Sequence, residues 1–308
     1  MTGPRAALTI RAARPRDVAA CARVCVRAIL DLSRRQGQPR PRLRARDLHP
    51  FMRHALRTDP DGFQVGVVRG QVVCYAITIL RGRVLFLAQF FALPGTQSRG
   101  TGRQVLTRAF RESHAPRGAV RCLVASLDLR AQALYLKFGM QPRSVMYFVS
   151  GKPPEIAARG GLELRAVGPA GRLTPRARAI AAKFDRTLRG TRRDVDQRFF
   201  VSAVKGSRFY EARSAGRTVG YVVIRGNGAI GPGGVADPAW SEALFAAATG
   251  RAHAMGIKKV VAWIPGLNEG ALRAAFAAGL KIDFLTVWMA SKDIGDLRLY
   301  LPSGGVLF

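Results

Sequence analysis

Six residues, Gln97-Ser98-Arg99-Gly100-Thr101-Gly102, carry the clearest chemical signal in this 308-residue chain. An apolar run at 84–93 precedes them and an amphipathic run at 103–111 follows. A strand, a short glycine loop and a helix start together make an anion site. Glycine lets the backbone approach a ligand, and the first N–H groups of a helix have no partner within it. The helix dipole favours negative charge at that end, so the segment suits a phosphate or pyrophosphate. The dinucleotide pattern G-x-G-x-x-G is absent, because no third glycine follows Gly102 at the required spacing. The Lys-Ser/Thr ending of a nucleotide P-loop is absent too, since Arg103-Gln104 stands there. A plain glycine turn is the competing reading of the hexapeptide alone.

A second element lies downstream, Asp128-Leu129-Arg130-Ala131-Gln132-Ala133-Leu134-Tyr135-Leu136-Lys137-Phe138-Gly139-Met140. It reads as a strand at 120–126, a helix capped by Asp128, and Gly139 as the helix stop. Together the two elements resemble GCN5-related N-acetyltransferases. The loop is similar to that family's Gln/Arg-x-x-Gly-x-Gly/Ala cradle for the pyrophosphate of acetyl-CoA. The helix is similar to its Asn-x-x-Ala-x-x-Leu-Tyr-x-x-x-Gly-Phe motif. Ala131, Leu134, Tyr135 and Gly139 match in register, while Asp128 replaces Asn and Met140 replaces Phe.

The resemblance implies acetyl-CoA as cosubstrate, entering between two splayed parallel strands, here at 84–91 and 120–126. Gln97, Ser98, Arg99, Gly100, Thr101, Gly102 and Arg103 would hold the pyrophosphate, with Arg99 and Arg103 adding charge. Phe90, Phe91 and Ala92 would run beside the pantetheine arm, and Asp128 would stand where the family's Asn often touches the cofactor. Tyr135 is the expected general acid, a phenol able to protonate the leaving thiolate. Many relatives carry a carboxylate base on the fourth strand, but 80–93 contains no Asp or Glu. Gln89 cannot serve as a base, and Glu112, His114, His49 and His54 are candidates by residue type only. Water can accept the amine proton instead.

Those groups need a scaffold, and the pattern of the chain supplies one twice. The first half reads as strands at 8–11, 63–68, 71–80, 84–91, 120–126 and 144–149, with helices at 15–34, 48–57, 99–114 and 130–138. The second reads as a strand at 162–166, a helix at 175–189, strands within 208–235, a helix at 238–255, a strand at 258–264, a helix at 268–278 and a strand at 282–290. Asn268-x-x-Ala271 with Gly279-Leu280 repeats the spacing of Asp128-x-x-Ala131 with Gly139-Met140. The expected fold is therefore α/β, with two tandem domains of the same family. Each is a mostly antiparallel mixed sheet with a splayed parallel pair and flanking helices. The boundaries are 1–150 for the catalytic domain, 151–161 for a linker and 162–308 for the second copy. That copy reads as degenerate. The glycine hexapeptide is missing before Ser241, Ala275 stands in the place of Tyr135, and Asp237 and Glu242 oppose an anion. Gly231-Pro232-Gly233-Gly234 precedes the strand end and reads as a bulge or turn.

Composition narrows the setting. No run approaches the length of a membrane span, and the first residues lack a signal-peptide core, so a cytoplasmic protein without membrane contact is expected. Cys21, Cys25, Cys74 and Cys122 show no ligand-like spacing, and no metal is expected. The net charge of +31 is spread over both halves and is mostly arginine. It raises encounter rates with any polyanion and leaves nucleic acid open as a partner. Three functions follow: an N-acetyltransferase acting on an unidentified amine, a CoA-responsive or nucleic-acid-associated binding protein, and an acyltransferase acting on a protein- or nucleic-acid-bound amine.

Overall fold

The computed structural model describes residues 7–96, 100–155 and 161–307. The chain divides into two compact units, Met1–Ala119 and Val120–Phe308. In the first, β1 (Leu8–Ala12), β2 (Phe63–Val68), β3 (Gln71–Arg81) and β4 (Val84–Ala92) form an antiparallel meander. The Arg69-Gly70 and Gly82 turns that join β2, β3 and β4 have positive φ, which fixes tight reversals. Helix α1 (Val18–Arg35) packs on β3 and β4, with α2 (Ala45–Thr58) against it. Helix α3 (Thr101–Glu112) covers β2 and β3. Several bounds differ from the sequence reading. Residues 15–17 are a short 3-10 turn before α1 rather than its first turn. Helix α2 begins at Ala45, three residues before the start at 48 that the sequence reading gives, and Asp47 lies in its first turn.

The second unit opens with β5 (Val120–Ala125), α4 (Leu129–Lys137) and β6 (Gln141–Gly151). It continues through β7 (Glu163–Ala166), α5 (Pro175–Arg189), α6 (Asp194–Ser202), β8 (Arg208–Ser214), β9 (Arg217–Ile224) and β10 (Ala229–Val235). Then follow α7 (Ser241–Ala254), β11 (Val260–Pro265), α8 (Glu269–Ala277), β12 (Lys281–Ala290) and the two-residue β13 (Tyr300–Leu301). Sheet order is β5-β12-β6-β11-β10-β9-β8-β7, with β13 on β10. Among the described residues these pairings are antiparallel except β10 with β11, which is parallel. The sheet is therefore mixed, with helices packed on it.

The strand order exposes a crossing of the two repeats. Strand β12, the last long strand of the second repeat, lies between β5 and β6 of the first. Strand β6 in turn lies between β12 and β11. Each repeat thus hands its final strand across to the other. The interleaving accounts for a division at 119/120, about thirty residues before the boundary at 150 that the sequence reading gives. On one face the exchange stacks Phe148 on Phe284 at 4.7 Å, with Trp263 edge-on to both at 5.4 and 5.6 Å.

The repeat survives in detail at the ends of α4 and α8. Met140 N donates to the Tyr135 carbonyl at 3.1 Å, and Leu280 N donates to the Ala275 carbonyl at 3.0 Å. Gly139 and Gly279 have φ of 78° and 73°, the left-handed stop that only glycine adopts without strain. Helix α6 and strand β13 are absent from the sequence reading. No helix among the described residues is long and apolar enough to cross a membrane.

Candidate acyl-carrier site

Residues Gln97, Ser98 and Arg99 lie outside the described residues, so the site is built from Gly100 onward. Gly100 caps α3 with φ of 80°, a conformation that admits glycine and disfavours side chains. Thr101, Gly102 and Arg103 form the first turn, two residues inside the start that the sequence reading gives. Gly102 explains the second glycine of the motif. A Cβ there would stand 2.9 Å from Cζ of Phe90 on β4. The helix start therefore lies directly on the aromatic ring, and its open N–H groups sit beside the end of the strand.

A concave surface of about 570 Å³ runs along α3 from its first turn to its last, lined by Ile10, Gly100, Arg103, Gln104, Thr107, Arg108 and Arg111. Arg103 and Arg111 are exposed. Arg108 and Arg111 are drawn to Glu112 at 3.2 and 2.9 Å. Glu112 holds its charge, its carboxyl lowered mainly by the hydrogen bond from Arg111. Arg103 takes part in no ion pair among the described residues. The exposed Arg103 stands at the helix end where the dipole is positive, and both effects favour a phosphate.

Phe90, Phe91 and Ala92 close β4, all half-buried, opposite Ala76, Tyr75 and Cys74 of β3. Behind them the Tyr75 hydroxyl donates to Gln89 Oε1 at 3.0 Å, and both side chains are buried. Gln89 is thereby committed to the core, and burial raises the Tyr75 phenol well above its ordinary value. This link lies beyond the sequence reading, which singles out Gln89 only as polar. Cys21, Cys25 and Cys74 are buried nearby, and desolvation pushes Cys25 and Cys74 up to about 12. They are apolar filling rather than nucleophiles.

Asp128 and Tyr135 belong to the second unit, at the cap and in the last turn of α4. Asp128 Oδ1 accepts from Arg130 N at 3.0 Å, as an N-cap should. Its other oxygen pairs with Arg130 at 3.1 Å. A carboxylate with these partners has no proton to donate, unlike the amide of the family motif. Tyr135 is buried, 6% exposed, while its neighbours Leu136 and Lys137 face solvent. Among the remaining base candidates, His54 is buried and His114 is exposed at a φ of 49°. His49 is half-buried, with Nε2 shielded and lacking a hydrogen-bond partner. No group of three or more His, Cys, Asp or Glu that could hold a metal occurs among the described residues.

The corresponding place in the second repeat is closed. Asp237 Oδ1 accepts from Ala239 N at 2.9 Å and starts a 3-10 turn that runs straight into α7. A Cβ at Gly270 of α8 would meet the Glu242 nitrogen at 2.9 Å, so α8 lies on the amino end of α7. Glu242 there pairs with Arg273 at 3.0 Å. Ala275, in the position of Tyr135, is fully buried.

No family model and no curated protein matches the sequence. Solved structures do match along nearly the whole chain. A Pyrococcus horikoshii protein, itself only provisionally assigned as an acetyltransferase, aligns with a TM-score of 0.75 at 17% identity, covering 98% of this chain and 96% of that one. A GCN5-related N-acetyltransferase from Sphaerobacter thermophilus aligns with a TM-score of 0.65 at 17% identity over 94% and 98% of the two chains. A tandem protein of the same kind from the clavulanic acid biosynthesis pathway aligns with a TM-score of 0.58 at 15% identity over 93% and 99%.

Proposed function

We propose, from the tandem GCN5-related N-acetyltransferase fold of this chain, that it transfers an acetyl group from acetyl-CoA to an amine, and that the first repeat does the chemistry. The observation that carries this reading is the start of α3. Glycines at 100 and 102 clear it of side chains, Phe90 supports it, and Arg103 stands exposed in its first turn. Gln97, Ser98 and Arg99 complete the proposed pyrophosphate cradle. Phe90, Phe91 and Ala92 then run beside the thioester arm.

In this reading the neutral amine attacks the thioester carbonyl. A C–N bond forms, the C–S bond breaks, and the sulfur leaves as a thiolate. Tyr135 gives the thiolate its proton, and the ammonium proton of the product passes to solvent. Solvent is the acceptor in this reading, because β4 carries no carboxylate and Glu112 is held by two arginines. In the second repeat Ala275 stands in the place of Tyr135 and the glycine hexapeptide is missing, so that repeat serves as support, contributing β12 to the shared sheet. The experiment is a thioester-release assay over a panel of amines with the wild type and Tyr135→Phe. A rate fall with unchanged folding supports the reading, and an unchanged rate removes Tyr135 from it.

One observation favours a second reading, that of a binding protein for polyanions. Arg40, Arg42, Arg44 and Arg46 are exposed along the α1–α2 segment while Pro41 and Leu43 between them are half-buried. No ion pair involves these four arginines among the described residues. Salt-dependent retention on nucleic acid without thioester turnover supports that alternative.

A further inference from the structure

The strongest unexplained feature lies in the second repeat, where the chain returns to its own sheet. Strands β10 and β11 run parallel and pair at only two positions, Ala229 with Val261 and Ile230 with Ala262. Past that point β13 pairs with β10, Gly233 opposite Leu301 and Gly234 opposite Tyr300, and packs against β11. Parallel neighbours that part leave main-chain groups open on both inner edges, and a third strand can satisfy them.

The returning segment is held by its carbonyl groups. Val235 N donates to the Leu299 carbonyl at 3.1 Å, Asn268 Nδ2 to the Tyr300 carbonyl at 3.2 Å, and Ser241 Oγ to the Arg298 carbonyl at 3.2 Å. The Arg225 guanidinium donates to the Ser303 carbonyl. The Arg193 guanidinium lies 5.4 Å from the centre of the Tyr300 ring. Tyr300 and Leu301 are at most 1% exposed, and Leu299, Ser303 and Leu307 are buried as well. This is recognition of a peptide through its main chain, with Leu299, Tyr300 and Leu301 buried in succession.

The sequence of the second repeat is adapted to that peptide. Strand β10 reads Ala-Ile-Gly-Pro-Gly-Gly-Val, where the matching β4 of the first repeat carries Leu, Phe and Gln. A Cβ at Gly234 would lie 2.4 Å from the Leu299 oxygen, and one at Gly231 would lie 2.3 Å from the Pro302 oxygen. The glycines of β10 therefore make room for the segment's backbone. Asn268 is adapted in the same way. Like Asp128 it caps its helix, Oδ1 accepting from Ala271 N at 3.1 Å. Unlike a carboxylate, its amide keeps a donor, and that donor holds Tyr300.

We propose that residues 296–307 are a built-in ligand of the second repeat. The segment turns at 297–299, runs extended at Tyr300–Leu301 and is seated between β10 and β11, where the repeat relationship places the arm of an acyl thioester. The second repeat is thereby closed to acyl-CoA, and the chain has one cofactor site. The last clause rests on the function proposed above, whereas the seating of the peptide does not.

Hydrogen exchange followed by mass spectrometry tests this on the full chain, alone and with millimolar acetyl-CoA. Peptides spanning 297–302 should be as protected as those of β10, and acetyl-CoA should leave them so. Exchange of 297–302 within seconds, or loss of protection when acetyl-CoA is added, overturns the proposal. Peptides covering 90–107 in the same experiment report on the first repeat. If they fail to respond, the functional reading fails while the result at 297–302 stands by itself. Gly234→Val should accelerate exchange at 297–302 by about tenfold or more, since its side chain takes the space of the Leu299 carbonyl. Asn268→Asp, a milder change, should act in the same direction. Unchanged exchange at 297–302 in both variants also overturns the proposal.

Discussion

Replacing Gly102 by Ala sets two effects against each other, and the structure says which should win. Within a helix, Ala is favoured over Gly by about 0.5–1 kcal/mol. The new Cβ, however, would stand 2.9 Å from Phe90 Cζ, where carbons in contact prefer roughly 3.5–4.0 Å. Ring or helix must yield by more than half an ångström, and overpacking of that kind costs about 1–3 kcal/mol. The net expectation is a loss of about 0.5–2 kcal/mol, or a melting temperature lower by a few degrees at roughly 2–4 °C per kcal/mol. Thermal unfolding by circular dichroism reads this directly. The decisive arm is the same substitution in a Phe90→Leu background, where the Cζ atom is gone. There the overpacking disappears and only the helix preference remains, so Gly102→Ala should stabilise. An effect of equal sign and size in both backgrounds would refute the claim that Gly102 exists to seat α3 on Phe90.

Other outcomes follow from named contacts. Tyr135→Phe should lower kcat/KM by about a hundredfold, the lower end of what a general acid contributes, with an unchanged melting temperature. Cys21, Cys25, Cys74 and Cys122 are at most 1% exposed, and burial raises each thiol. All four should resist a disulfide reagent at neutral pH until the chain unfolds, and rapid titration of any one contradicts this. Asp185 accepts from Tyr221 and Gln197 and pairs with Arg193 at 3.2 Å, all buried. Asp185→Asn leaves the Arg193 charge uncompensated and should destabilise by about 3–5 kcal/mol. Asp17 accepts from Arg11 at 2.6 Å and from Arg14 N at 2.7 Å, and the Arg11 bond holds its carboxyl below the usual range. A depressed carboxyl stabilises the fold above its unfolded pKa and loses that contribution as pH falls through its folded one. Asp17→Asn should therefore destabilise at pH 7, and the gap from wild type should shrink below about pH 4. A gap independent of pH would contradict this.

How far the sequence announced this structure depends on the range of each interaction. Helix α5 carries every local signal, with the Thr174 cap bonded to Ala177 N, Pro175 at its first position and Gly190 at its end with φ of 78°. The sequence reading accordingly places it at 175–189, as observed. The start of α3 was legible because glycine at 100 and 102 has a backbone reason, although the partner of Gly102, Phe90, lies on another element. The exchange of β6 and β12 was not legible. Both strands alternate as strands should, but nothing local says which neighbour each takes across the sheet. Helix α6 begins at Asp194 and runs only nine residues, with no side-chain cap. Strand β13 is two residues in a terminal segment, defined wholly by the strand that it meets. The glycine run of β10 read as a bulge, and a register shift does occur between Ile230 and Gly233. Its other cause, the carbonyls of 299 and 302, lies some seventy residues away.

Calorimetric titration of the full chain with acetyl-CoA at moderate salt tests the central claim most directly, beside a Gly100→Glu variant shown by circular dichroism to be folded. The account predicts one site per chain in the wild type and none in the variant, where a carboxylate stands at the phosphate cradle. No binding to the wild type, or binding that survives in the variant, contradicts the assignment of the α3 amino end. Two sites contradict the closed second repeat.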